Sequence, residues 1–146
     1  MRLQRILLAT DFSTQARAAL GYASELSSRL GVPLLLVAAF QIPIYPLPEG
    51  VVVRTSDTIA QLLERTSTDL AAARQTALEM GALEVETVVV EGNPAAEIVR
   101  IADERKIDLI VMGSHGRGGI SRAILGSVAD KVMRTAHCPV MIVAHG

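Results

Sequence analysis

The sequence has no tryptophan, and aromatic residues make up only 3% of it. Stacking platforms for single-stranded nucleic acid are therefore missing, and the core must be built from Ala, Leu, Ile and Val. A nucleobase bound here would lie against aliphatic side chains. The single cysteine, Cys138, excludes an internal disulfide. No run of Lys or Arg forms a basic patch, and the net charge is -1, so neither nucleic acid nor an anionic membrane is attracted in general. An anion would need a local site. No apolar run reaches the roughly 18 residues that cross a bilayer, and the first apolar block, Ile6-Leu7-Leu8-Ala9, is too short for a signal peptide. The expectation is a soluble cytoplasmic protein in which residues 1–146 form one domain, without internal repeats or low-complexity segments.

Strand-length apolar runs alternate with helical periodicity along the chain. Residues 5–9 read as a strand, and Thr10-Asp11-Phe12-Ser13 as a polar turn able to cap a helix. Ala16, Ala19, Leu20, Ala23, Leu26 and Leu30 then recur at helical spacing until Gly31 and Pro33. Residues 33–38 are continuously apolar, as in a strand covered on both faces. Pro43, Pro46 and Pro48 place a loop over Gln41 to Thr55, before a long amphipathic helix that ends at Gly81. A strand over 85–90 leads to Asn93 as N-cap with Pro94 at the first helical position, and a fourth strand covers 109–112. Ser127 reads as an N-cap with Asp130 three residues on, a variant capping box, and Pro139 opens a last strand over 140–144. Helical crossovers between successive strands predict an α/β fold, a parallel sheet with helices on both faces. Ligands then sit at the carboxyl ends of the strands.

One stretch stands out, Gly113 to Ser127, with five of the eleven glycines. Glycine permits close backbone approach, and a helix start adds partial positive charge, so a loop there predicts an anion guest, a phosphate above all. Common motifs do not fit. A Walker A loop needs Gly-Lys-Ser/Thr, the G-x-G-x-x-G pattern breaks at Ser121, and a nucleophile elbow meets Met112 where glycine is required. The pyrophosphatase SGGxDS loop is absent after the first strand, which continues ATDFST. The spacing that does occur is G-x2-G-x9-G-S, from Gly113, Gly116, Gly126 and Ser127.

That spacing resembles the ATP-binding signature of the universal stress protein family. The opening RILLATDFS, the middle VVEGNPAAEIVRIADERKIDLIVMGSHGR and the ending CPVMIV are similar to the same family, and only the proline-rich loop has no match. The resemblance implies a Rossmann-like three-layer sandwich, a five-stranded parallel sheet in the order 3-2-1-4-5 with four helices. It also implies that ATP, with or without Mg2+, is held between two sets of residues. Ala9, Thr10, Asp11 and Val37 would take adenine and ribose. Met112, Gly113, His115, Gly116 and Arg117, with Gly126, Ser127 and Val128, would surround the phosphates. Ala129 stands where some nucleotide-bound relatives carry a hydroxyl, which implies one phosphate contact fewer.

Several residues have two readings. Asp11 accepts ribose hydroxyls or caps the first helix; Arg117 pairs with a phosphate or is solvated. His115 has no acid or nucleophile beside it in sequence, so no catalytic set is assigned, and His137 with Cys138 make a poor metal chelate. Cys138 reads as a small buried apolar residue. With no evident general base and no carboxylate for Mg2+ beyond Asp11, ATP hydrolysis is expected to be slow at most. Val140, Met141, Ile142 and Val143 fall at a sheet edge without charge or internal proline. The resemblance implies a homodimer through that strand; the other reading is an edge covered by the chain itself. The functional expectation is an ATP-binding, stress-type regulatory module, and the alternative is an interaction module that binds no nucleotide.

Overall fold

Strand β1 (Ile6–Ala9) lies at the centre of a parallel sheet, between β2 (Leu34–Phe40) on one side and β4 (Leu109–Gly113) on the other. The computed structural model describes residues 2–42, 56–116 and 124–144. β3 (Val85–Glu91) extends the sheet beyond β2, and β5 (Val140–Val143) beyond β4, giving the order β3-β2-β1-β4-β5. The implied strand order is the observed one.

Alternation along each strand divides the core into two layers. Ile6, Leu8, Leu34, Leu36 and Val111 pack toward α1 (Thr14–Leu30) and α2 (Ser56–Glu79), while Leu7, Leu35, Val37 and Ile110 pack toward α3 (Pro94–Glu104) and α4 (Ser127–Thr135). β1 and β2 are continuously apolar, as are residues 109–112 of β4, because both faces are covered, whereas the edge strand β3 carries exposed Glu86 and Thr87. α2 reaches this core mainly through Leu70 and Ala77, which are 1% and 0% exposed. Leu30, Leu63, Met80 and Met133, which the periodicity turns inward, are instead half-exposed at helix margins. A 3.6-residue period identifies a face but not its width.

The helix ends follow local chemistry. Ser13 is the N-cap of α1, its hydroxyl accepting from the Ala16 amide at 3.2 Å, and Gly31 closes the helix in the left-handed conformation at φ 64°. Asn93 caps α3 with Pro94 in its first turn, as the sequence indicates. The capping box at Ser127 does not form. Gly126 is the N-cap of α4, Ser127 is the first helical residue, and the Gly126 amide donates to the Ser114 carbonyl at 2.7 Å. The glycine permits an approach to the loop wall that a serine side chain would obstruct.

The chain leaves β1 toward β2 in one direction and returns at β4 on the opposite side. A crevice therefore opens at the carboxyl ends of β1 and β4, the topological switch point.

Candidate functional site

A cleft of about 600 Å³ occupies this crevice. Its floor comes from strand ends on the α3/α4 face of the sheet, Ala9, Val37 and Met112. Pro94 and Ile98 of α3, with Ala39 of β2, complete an aliphatic wall. The opposite wall is made by residues 113–116 at the end of β4 and by 124–130, which run into the first turn of α4. The two halves predicted from separate parts of the chain thus face one space. Ala9, Thr10, Asp11, Val37, Met112 and Gly113 line it, as do His115, Gly116, Gly126, Ser127 and Val128. Arg117 lies outside the described residues, as do Gly118 and Gly119 and, from the proline-rich loop, residues 43–55.

The turn after β1 is held by its own side chains. Thr10 Oγ1 accepts from the Phe12 amide at 3.1 Å, and Asp11 Oδ1 accepts from the Ser13 amide at 3.0 Å. Phe12 adopts φ 66°, an unfavourable region for a bulky side chain, and packs its ring against the α1/α2 core. Because Ser13 caps the helix, the helix-cap reading of Asp11 is not the one realised. The Thr10 amide donates to the Val37 carbonyl at 2.9 Å, locking the turn to the middle of β2.

The three signature glycines are there because of close approach rather than unusual backbone angles. A Cβ on Gly113 would lie 2.9 Å from the backbone of Gln15, and one on Gly126 would lie 2.9 Å from the Ser114 carbonyl oxygen. A Cβ on Gly116 would overlap the Asp11 carboxylate. Gly126 itself has an ordinary φ of −61°. The spacing brings the loop against the α1 backbone at Gln15 and against the Asp11 carboxylate of the β1 turn.

His115 does not project freely into the cleft. Its Nδ1 is 2.9 Å from Ser114 Oγ, and its Nε2 contacts the Ile124 carbonyl. With the ring proton on Nε2, the Ile124 carbonyl accepts it and Nδ1 accepts from the Ser114 hydroxyl. Ser114 is 7% exposed, and its amide donates to the Val143 carbonyl of β5 at 3.0 Å. The glycine loop is thus closed at its neck by Ser114, His115 and Gly126 and tied to the edge strand. Beyond the neck, the first turn of α4 offers amides without intrahelical partners beside the exposed Ser127.

Sequence reasoning missed the aliphatic wall of Ala39, Pro94 and Ile98, and also Ser114, Leu125 and Asp130, which line the same cleft. Of these, Pro94 carried a signal as a helix start and Asp130 as a capping residue; the Asp130 carboxylate instead binds Arg134 Nε at 3.0 Å. Among the described residues, no group of three potential metal ligands occurs. Cys138 is half-buried against the α3/α4 core, where burial first, and the Asp103 carboxylate second, push its thiol above the ordinary 9.0. His137 Nδ1 contacts Asp103 at 3.1 Å on the surface.

A doubly wound α/β domain with a glycine-lined cleft at its switch point is the class these features define. Comparison with known proteins specifies the family: the profile described as Universal stress protein family matches residues 2–144. The chain belongs to this family. Universal stress protein MJ0531 of Methanocaldococcus jannaschii is 34% identical over 143 residues, covering 96% of this chain and 81% of that protein. Two solved structures are similar throughout. One is a universal stress protein in complex with cAMP, at 27% identity and TM-score 0.69, covering 100% of both chains. The other is the universal stress protein from Archaeoglobus fulgidus in complex with dAMP, at 27% identity and TM-score 0.68, covering 98% of this chain and 99% of that one. Among the described residues, no helix is long and apolar enough to cross a membrane.

Proposed function

We propose that the cleft binds an adenine nucleotide, with ATP the expected ligand, and that this chain is a cytoplasmic regulatory module whose conformation or partner choice depends on occupancy. The carrying observation is the division of one cleft of about 600 Å³ into an aliphatic half, Val37, Ala39, Pro94, Ile98 and Met112, and a half built from glycines and a helix start. The first half suits an adenine ring and the second suits phosphate. The site residues Ala9, Thr10, Asp11 and Val37 are assigned to the nucleoside. Gly113, Gly116, Gly126, Ser127 and Val128 are assigned to phosphate, with Met112 between the two groups. Two similar proteins are described in complex with cAMP and dAMP, both adenine nucleotides, which supports the base assignment.

His115 is assigned to shaping the loop rather than to catalysis, because both ring nitrogens are engaged by the loop itself. Hydrolysis is expected to be slow. Asp11 braces the β1 turn and Asp130 is paired with Arg134, so neither is placed as a general base. Mg2+ would be brought by the phosphates, with the Asp11 carboxylate as an anionic oxygen donor lining the cleft.

We further propose a homodimer through β5. The β4 side of this strand is used by the carbonyls of Pro139 and Val143, which accept from Ile110 and Ser114. Alternation directs the amides of Val140 and Ile142 to the open edge.

Denaturing the purified protein and identifying any released nucleotide by mass spectrometry tests the reading. An adenine nucleotide, or a thermal shift on adding ATP, is expected. Finding neither would favour the interaction module that binds no nucleotide, for which the buried Ala129, 2% exposed and without a hydroxyl, is the relevant observation.

A further inference from the structure

Both fixed charges on the described residues lining the cleft are negative, Asp11 and Asp130, and no described lysine or arginine is among them. Asp11 stands at the β1 turn, in the half assigned to the nucleoside. Asp130 stands in the phosphate half.

Its position follows from the start of α4. With Gly126 as N-cap, Asp130 is the fourth helical residue, and its amide donates to the Gly126 carbonyl at 2.9 Å. A carboxylate in a capping box folds back onto the N-cap amide, but here the Ser114 carbonyl occupies that amide. Asp130 instead accepts from Arg134 Nε at 3.0 and 3.1 Å, in a pair whose side chains are 74% exposed for Arg134 and 40% for Asp130. An exposed i,i+4 pair of this kind contributes little to stability, so Arg134 offsets the carboxylate's charge only while the pair is formed. The carboxylate belongs to a residue within about one helical turn, roughly 5 Å of axial rise, of the unpaired first-turn amides.

A first phosphate can take those amides. Each further phosphate adds negative charge near this carboxylate. Resting on the nucleotide reading above, we propose that Asp130 is a specificity-determining residue that opposes the distal phosphates and narrows the advantage of ATP over AMP. Occupancy then follows the ratio of the two nucleotides rather than the concentration of ATP alone. Arg134 moderates the effect by holding the carboxylate.

The test is calorimetric titration of the whole chain, stripped of nucleotide, with AMP and with ATP at low salt, in EDTA and again with Mg2+. In EDTA, Asp130→Asn is expected to raise the ATP-to-AMP affinity ratio by about three- to tenfold, and Asp130→Glu to restore the original ratio. Arg134→Gln is expected to lower the ratio, and high salt to shrink both effects. An unchanged ratio in Asp130→Asn, or equal changes for both nucleotides, would overturn the proposal. So would a loss of ATP affinity seen only with Mg2+, which would make the carboxylate a metal ligand. If the unsubstituted chain binds neither AMP nor ATP, the nucleotide reading itself fails, and this inference with it.

Discussion

The amide of Gly126 donates to the carbonyl of Ser114 at 2.7 Å, and a Cβ added to Gly126 would lie 2.9 Å from that same oxygen. One contact therefore closes the loop neck, starts α4 and requires glycine. Gly126→Ala should cost about 1–3 kcal/mol by overpacking, since its φ of −61° suits alanine and only the space does not. Gly21, inside α1 with nothing within 4 Å of an added Cβ, supplies the contrast. Gly21→Ala should stabilise by about 0.5–1 kcal/mol. Urea denaturation of both variants checks the opposite signs.

At the β1 turn, bracing and ligand binding can be separated. Asn retains an oxygen able to accept from the Ser13 amide, so Asp11→Asn should leave stability within about 0.5 kcal/mol. It should nevertheless weaken nucleotide binding severalfold if the carboxylate accepts ribose hydroxyls. Ser13→Ala should do the reverse, losing about 1 kcal/mol of helix capping while binding persists. Parallel denaturation and titration distinguish them, and equal losses of affinity in both variants would contradict the assignment.

α2 depends on few anchors. Leu70 is 1% exposed and Leu63, on the same helix, is 45% exposed. Leu70→Ala should cost about 2–5 kcal/mol, and Leu63→Ala under about 1 kcal/mol. Chemical denaturation midpoints provide the comparison.

Cys138 supplies a pH dependence. Because burial disfavours its thiolate, the folded thiol titrates above 9.0, while the unfolded thiol titrates near that value. This contribution to stability is fully present below pH 9.0 and declines as pH rises from there through the folded value. Alkylation of the native protein should therefore accelerate at higher pH than alkylation of the urea-unfolded chain. Coincident pH profiles would refute it.

The edge strand predicts an assembly phenotype. Ile142→Pro removes an amide directed away from β4, so the fold should persist with little change in far-ultraviolet circular dichroism. The proposed homodimer should dissociate, as measured by light scattering during size-exclusion chromatography.

Local chemistry made much of this protein legible in its sequence. Continuous apolar runs with helical crossovers predicted the parallel sheet, Asn93-Pro94 marked a helix start, and the spacing of Gly113, Gly116, Gly126 and Ser127 marked the loop and its family. These are short-range patterns, readable because each depends on neighbours in the chain. What only the tertiary structure decided depends on residues far apart in sequence. Placing β1 between β2 and β4 brought Asp11 against Gly116 and joined Ile98 of α3 to the wall opposite α4. Ser127 lost the cap position because the Ser114 carbonyl captured the Gly126 amide, a pairing no local propensity encodes. Asp130 was displaced by the same event from a capping role to the cleft. The sequence determined which segments form strands, helices and the glycine loop; their packing decided which atoms face the ligand space, because hydrogen-bond partners compete across the fold rather than along the chain.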